Sequence, residues 1–118
     1  MTTREVAEAF TALCRENRGE EAARRFWSDQ VVSIEPMDGP MARLEGRGAV
    51  LEKHAWWERT FEVHGGSVDG PWVHGDQFAV GFTLDATNRE TGERARMSEI
   101  GLYTVRDGAV VEERFFYA

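Results

Sequence analysis

A chain of 118 residues has the length of one domain, since a single core commonly serves about 100 to 150 residues, and this excludes a two-domain enzyme. Hydrophobic residues make up 42%, enough for a core without disulfides, which the lone Cys14 cannot form within its own chain. With 14 basic against 21 acidic side chains, the formal charge of −7 repels phosphate backbones and anionic lipid, so neither nucleic acid nor membrane is an expected partner. No apolar run approaches the roughly 18 residues of a membrane span, and Met1-Thr2-Thr3-Arg4-Glu5 lacks the apolar stretch of a secretion signal. A soluble cytoplasmic protein is expected.

Periodicity places the elements. Thr2 and Glu5 have capping-box spacing, and Val6, Phe10, Leu13 and Cys14 then recur on one helical face until Gly19 ends the helix. A shorter helix over 20–27 turns Ala22, Ala23, Phe26 and Trp27 to the same core. Residues 31–35 are short and β-branched and read as a strand ended by Pro36. A loop is expected over 37–45. From Gly46 to about Phe61 a third helix carries Val50, His54, Trp57 and Phe61 in one stripe, with Ala49, Lys53 and Trp56 beside it, and His64-Gly65-Gly66 closes it. Antiparallel strands follow over 67–74, 77–87, 94–105 and 109–117, joined by turns too short for crossovers. Helices first and hairpins after make an α+β pattern, with the helices on one face of a bent sheet. The other face would expose Ile100, Leu102, Val110 and Phe116, so a homodimer through the outer sheet face is expected.

Phe26-Trp27-Ser28-Asp29 before the first strand, Gly46-Arg47-Gly48-Ala49-Val50 at the third helix, and the run from Tyr103-Thr104-Val105 through Asp107-Gly108 to Arg114-Phe115-Phe116 come in an order that resembles the SnoaL-like branch of the nuclear transport factor 2-like superfamily. The resemblance covers nearly the whole chain, 1–118. It implies a cystatin-like, cone-shaped curved antiparallel sheet closed by three N-terminal and central helices, enclosing a pocket, and a dimer. That superfamily includes ketosteroid isomerases, polyketide cyclases, dehydratases, epoxide hydrolases and members that only bind or associate, so function must be argued from the site.

In the isomerases the general base is an acid directly before a proline at the end of the first strand, and Glu35-Pro36 resembles that pair after a one-residue shift. A carboxylate at an apolar mouth becomes a better base through desolvation; the alternative is a Glu35 facing water. Glu99 shares strand parity with Tyr103 and Val105 and resembles the protonated acid that donates to the substrate oxyanion. Its alternative is a rim carboxylate paired with Arg94 or Arg96. Glu113 shares parity with Val111, Phe115 and Tyr117, where a buried acid must be protonated or paired. An ion pair with an arginine is the structural alternative. The isomerases present a tyrosine from the first helix, where this chain has Phe10. That departure puts steroid isomerisation by two oxyanion donors in doubt and leaves Tyr103, Tyr117, Trp27, Trp56 or Trp57 as substitute donors.

His64, at a helix end, is a candidate acid/base group, with C-terminal capping as its alternative. Trp27, Met37, Trp57, Phe82, Tyr103, Phe115 and Tyr117 are the expected lining of an apolar ligand site, although aromatics are more often core. Met37 and Met41 serve either as a flexible lid or as gap filling. The three histidines lack ligand spacing, and no phosphate loop or nucleophile elbow is present, so neither metal nor cofactor is expected. The leading reading is a small cofactor-independent enzyme of isomerase, cyclase or hydratase type, moving a proton on an apolar small molecule with Glu35 as base. The competing readings are a non-catalytic ligand-binding protein and an association module.

Overall fold

Thr2 Oγ1 accepts the backbone N–H of Glu5 at 3.1 Å, and the Glu5 carboxylate accepts that of Thr2 at 2.9 Å. This reciprocal pair satisfies two donors that a helix start leaves orphaned. In the computed structural model, which describes residues 1–117, it opens α1 (Thr3–Arg15), whose Val6, Ala7, Phe10 and Leu13 are buried. The chain reverses through Asn17, at φ 59°, into α2 (Gly19–Phe26). Then come β1 (Trp27–Ile34), β2 (Arg43–Glu45), α3 (Arg47–Thr60), β3 (Phe61–His74), β4 (Gln77–Asn88), β5 (Arg94–Arg106) and β6 (Ala109–Tyr117).

The six strands form one sheet in the order β2-β1-β6-β5-β4-β3. The last four strands are antiparallel neighbours, as their turns predict. β1 and β6 run parallel, the one parallel pair in the otherwise antiparallel sheet of the described residues. Their direction follows from the path: α3 delivers the chain into β3 pointing against β1, and the hairpin reversals after it bring β6 back along β1. Three boundaries differ from expectation, the first being β1, which begins at Trp27 directly after α2 rather than at Val31. The predicted loop over 37–45 contains the short edge strand β2, paired with β1. β3 begins at Phe61 rather than at Ser67, because the backbone turns extended at Phe61, with φ −114° and ψ 134°. Gly65 and Gly66 therefore lie within a strand, and a Cβ on Gly66 would run into the carbonyl oxygen of Thr83 on β4.

α1 crosses β3, β4 and β5, α3 lies on β1, β2 and β3, and α2 connects the two helices. Their apolar stripes meet the concave face of the sheet, where Phe78, Val80, Tyr103, Val105, Val110 and Phe115 are buried. Deep in this cone Phe10, Trp27, Phe78 and Tyr103 form one aromatic cluster, with ring centroids 4.7 to 5.8 Å apart. Phe10 thus packs wholly within the aromatic core and brings no hydroxyl to it. Cys14 borders this core, and burial pushes its thiol up to about 12, which leaves it inert as a nucleophile.

β3 shifts register against β4 twice, between Val63 and Gly65 and between Asp69 and Trp72, and the break that matters for the site is in β6. Thr104 pairs with Glu112 but Val105 pairs with Val110, so Val111 is the extra residue of a β-bulge. Val110 is consequently fully buried and Val111 lines a depression on the outer face, the reverse of the expected placement of both. Beyond the bulge the expected parity holds. The outer face still exposes a band of apolar side chains: Trp72 is 59% exposed, Ile100 49% and Phe116 47%. Leu102 lies between them, aligned with Ala79 on β4, which in turn aligns with Trp72. Among the described residues no helix is long and apolar enough to cross a membrane.

Gly101 faces the cone two residues before Tyr103. A Cβ there would meet the Tyr103 hydroxyl and ring, with Cε2 at 2.8 Å, and Tyr103 is fixed among aromatic neighbours. Gly101→Ala should therefore cost about 1 to 3 kcal/mol, read from the urea midpoint at unchanged m-value. A wild-type midpoint would show that the ring yields freely.

Candidate active site

Glu113 lies on β6 just past the bulge, and its side chain is completely buried. Such a carboxylate needs donors, and it receives them from two elements. From β1, Trp27 Nε1–H donates to Oε1 at 2.8 Å and Ser33 Oγ–H to Oε2 at 2.7 Å. From α3, His54 Nε2 lies 2.9 Å from Oε1 and Lys53 Nζ 3.4 Å from Oε2. Burial alone would raise the carboxyl, but the positive charge and hydrogen bond of His54, the charge of Lys53 and the Ser33 hydroxyl overcome it and hold Glu113 at about 2. It is a permanent anion. The arginine partner that the sequence leaves open is replaced by a histidine and a lysine.

Lys53 links this anion to a second carboxylate. Its ammonium donates to Ser33 Oγ at 2.6 Å, forms an ion pair with Glu35 and sits 4.7 Å from the centre of the Phe115 ring. The other oxygen of Glu35 accepts the hydroxyl of Tyr117. Glu35 thus points inward rather than to water, its side chain only 8% exposed, but both of its oxygens are engaged, so it is not the free base the sequence suggests. Burial first, and then the bond to Glu35, push the Tyr117 phenol far above its ordinary range. Burial does the same for Tyr103.

Glu99 on β5 faces the same cone, opposite Phe82 on β4 and Tyr117 on β6. The rim pairing is absent because Arg94 and Arg96 have the opposite strand parity from Glu99, and Arg94 is held by Asp85 through two hydrogen bonds of 3.0 and 2.8 Å. Among the described residues no side chain donates to the Glu99 carboxylate. Burial is the main cause, with the charge of Glu35 next, that raises it to about 7 against the opposing pull of Lys53. One concave face therefore holds a fixed anion and an acid that is about half protonated at neutral pH.

Of the candidate residues, Glu35, Glu99, Glu113, Trp27, Tyr103, Phe115 and Tyr117 share this face, and Phe82 borders it. Trp57 lies on the next turn of α3 after His54, stacked on Phe61 at 5.0 Å, while the more exposed Trp56 meets the same ring edge-on at 6.3 Å. Met37 is half exposed in the loop after β1. His64 is corrected outright: it is an exposed strand residue bonded to Thr87 Oγ1 at 2.7 Å, because the helix ends before it. Lys53 and His54 are the site residues that sequence reasoning missed. Their signal was present: two ionisable groups on or beside the apolar stripe of a helix need partners on the surface they pack against. Among the described residues no group of three ligating side chains could hold a metal.

The model of the SnoaL-like domain matches residues 1–117. The chain belongs to this family. A solved structure from Mesorhizobium loti, provisionally named a SnoaL-like polyketide cyclase with carbohydrate phosphatase in brackets, is 49% identical, covering 99% of this chain and 100% of that one at a TM-score of 0.95. A protein from Bacillus subtilis provisionally named an isomerase shares 23% identity over 100% of this chain and 90% of its own, at TM-score 0.75. A cystatin-like protein of unknown function from Xanthomonas campestris shares 19%, over 100% and 92%, at 0.79. The last two establish the fold alone. No curated protein matches significantly.

The two carboxyls of this SnoaL-like chain respond oppositely to pH. Raised from 4.5 to about 7, Glu99 contributes stability that is complete below about pH 4.5 and lost as pH rises through 7. Glu113, lowered to about 2, contributes stability present above 4.5 and lost as pH falls towards 2. Glu99→Gln should therefore be close to neutral at acid pH and increasingly stabilising above it, by up to about 3 kcal/mol. Urea titrations across that range check this, and a gain that does not grow with pH would mean an ionised, well-solvated Glu99.

Proposed function

We propose that the chain, as one SnoaL-like domain over residues 1–118, is a cofactor-independent enzyme of isomerase, cyclase or hydratase type. It acts in the cytoplasm by general acid–base proton transfer on an apolar, carbonyl-containing small molecule held in the cone. The observation that carries this reading is Glu99: a concave-facing carboxyl with no side-chain donor, raised to about 7. Such a group gives or takes a proton at neutral pH with little driving force lost, which is what general acid–base catalysis needs. Glu35 assists by fixing Lys53 and Tyr117 around the reacting atoms, and Phe82, Phe115 and Trp57 supply the apolar walls.

Exchange of α-protons on a panel of cyclic ketones in D2O, followed by NMR, tests the reading. Wild-type protein should accelerate exchange, and Glu99→Gln should lower that rate by about 10² to 10⁴, the usual worth of a positioned proton-transfer group. Ketone binding with no accelerated exchange would favour a ligand-binding protein.

One observation favours the association reading. The recess beside Phe61, Ala86 and Met97 is about 200 Å³, below the roughly 300 to 1,000 Å³ of ordinary ligand pockets. The larger depression, about 610 Å³, is on the outer face around Gln30, Val32, Thr104 and Val111, and none of Glu35, Glu99 and Glu113 lines it. That face, with Trp72, Ile100, Leu102 and Phe116, is the proposed homodimer surface, from which the inward Val110 is now removed. Charged replacements at Leu102 and Phe116 should turn a sedimenting dimer into monomer. A wild-type monomer at micromolar concentration would refute the dimer and leave the acid–base reading untouched.

A further inference from the structure

Glu113 is too deeply buried to meet a substrate, yet it holds a group that is not. The His54 side chain is 29% exposed while the carboxylate bonded to its Nε2 is 0% exposed. An ionised carboxylate only accepts hydrogen bonds, so the 2.9 Å contact places the hydrogen on Nε2. As an imidazolium the ring carries hydrogens on both nitrogens; when the Nδ1 proton is given up, Glu113 keeps the hydrogen on Nε2 and the lone pair lies on Nδ1, on the side away from Glu113. The ring is also braced, because the Trp27 indole that donates to the same Oε1 meets it edge-on, with centroids 6.2 Å apart at 81°. A base oriented by a buried third group is the arrangement that fixes tautomer and direction together in proton-transfer sites.

We propose that His54 is a proton-transfer residue of this site, with Nδ1 as its base and Glu113 as the positioning residue that fixes its tautomer. The proposal rests on the acid–base reading above and adds a second group to it. Of the charged groups of the site, Glu113 on β6 bonds the imidazole directly and Glu99 on β5 feels its charge, while Lys53 on α3 and Glu35 after β1 act on it through the pairs they make with each other and with Glu113. In the reaction, Nδ1 takes a proton from the carbon next to the carbonyl and the C–H electron pair moves into the enolate. Protonated Glu99 supplies a proton to the oxygen. Return of one proton to carbon from the imidazolium and one to the Glu99 carboxylate restores both groups.

A nitrobenzisoxazole serves as probe. Its ring C–H proton goes to the base, the C–H pair becomes part of a nitrile, and the N–O bond breaks to release a coloured phenolate. Wild type should cleave it faster than buffer, His54→Gln should lose about 10² to 10⁴ of that rate, and His74→Gln, far along β3, should keep it. A wild-type rate in His54→Gln together with loss in Glu99→Gln would overturn the role of His54 while leaving the acid–base reading standing. No cleavage by wild type would count against both. Nitrogen-15 shifts of the wild-type imidazole provide the measurement that needs no variant: hydrogen on Nε2 is expected, and hydrogen on Nδ1 alone overturns the proposal. Glu113→Leu, if folded, should release the ring from the Nε2–H tautomer, because no acceptor for that hydrogen remains, and should lower probe cleavage with it. Unchanged nitrogen shifts and rate in that variant would remove Glu113 from its positioning role.

Discussion

The rest of the site depends on the hydrogen-bonded anion at Glu113. Taking a carboxylate out of water costs several kcal/mol unless charge and hydrogen bonds compensate, and here compensation comes from β1 and α3 to a group on β6. The contacts therefore join one helix to two parallel strands, β1 and β6, whose sequence positions are far apart. An apolar residue of similar size could fill the volume but would leave Lys53 and His54 with less to hold them. The aromatic cluster of Phe10, Trp27, Phe78 and Tyr103 supplies the mass of the core, and Trp27 belongs to both, stacking on Phe10 at 5.4 Å while donating to Glu113.

Around this anion the acids are differentiated by what reaches them. Glu113 has four donor side chains; Glu35 has Lys53 and Tyr117; Glu99 has none among the described residues. The same residue type thus spans a fixed anion and an acid raised to about 7 on one face. Proton-transfer sites are recognised by such separation between neighbouring titratable groups. Lys53 is central to it, since it pairs with both carboxylates flanking it and lowers the cost of ionising Glu99.

The helices, the hairpins and the inward set of β5 are legible in the sequence because they follow short-range rules. Thr2 and Glu5 cap, Gly75-Asp76 and Asp107-Gly108 turn, and Glu99, Tyr103 and Val105 alternate. What the sequence conceals is long-range. The parallel pairing of β1 with β6 joins segments some eighty positions apart, and no local pattern marks β2 as its partner on the other side. Lys53 and His54 read as ordinary members of an amphipathic helix until the strand beneath them supplies a carboxylate. His64 is the converse case: beside two glycines it looks like a helix end, and only the extended backbone from Phe61 onward shows that it belongs to a strand. Glu35 stands beside a proline that the sequence shows, but the partners that occupy it come from α3 and β6.

The bulge at Val111 decides which of two adjacent glutamates the protein keeps in its interior. Uninterrupted alternation from the buried Val110 would bring Glu112, Arg114 and Phe116 to the inside; one surplus residue exchanges them for Glu113, Phe115 and Tyr117. Comparison with relatives must therefore respect this position. A gap misplaced by one residue here would equate a permanently buried anion with a surface acid beside Arg114, and the two would look interchangeable because both are glutamate. By the same token, loss of a single codon in this hairpin would leave the composition almost unchanged while turning the wall of the cone inside out.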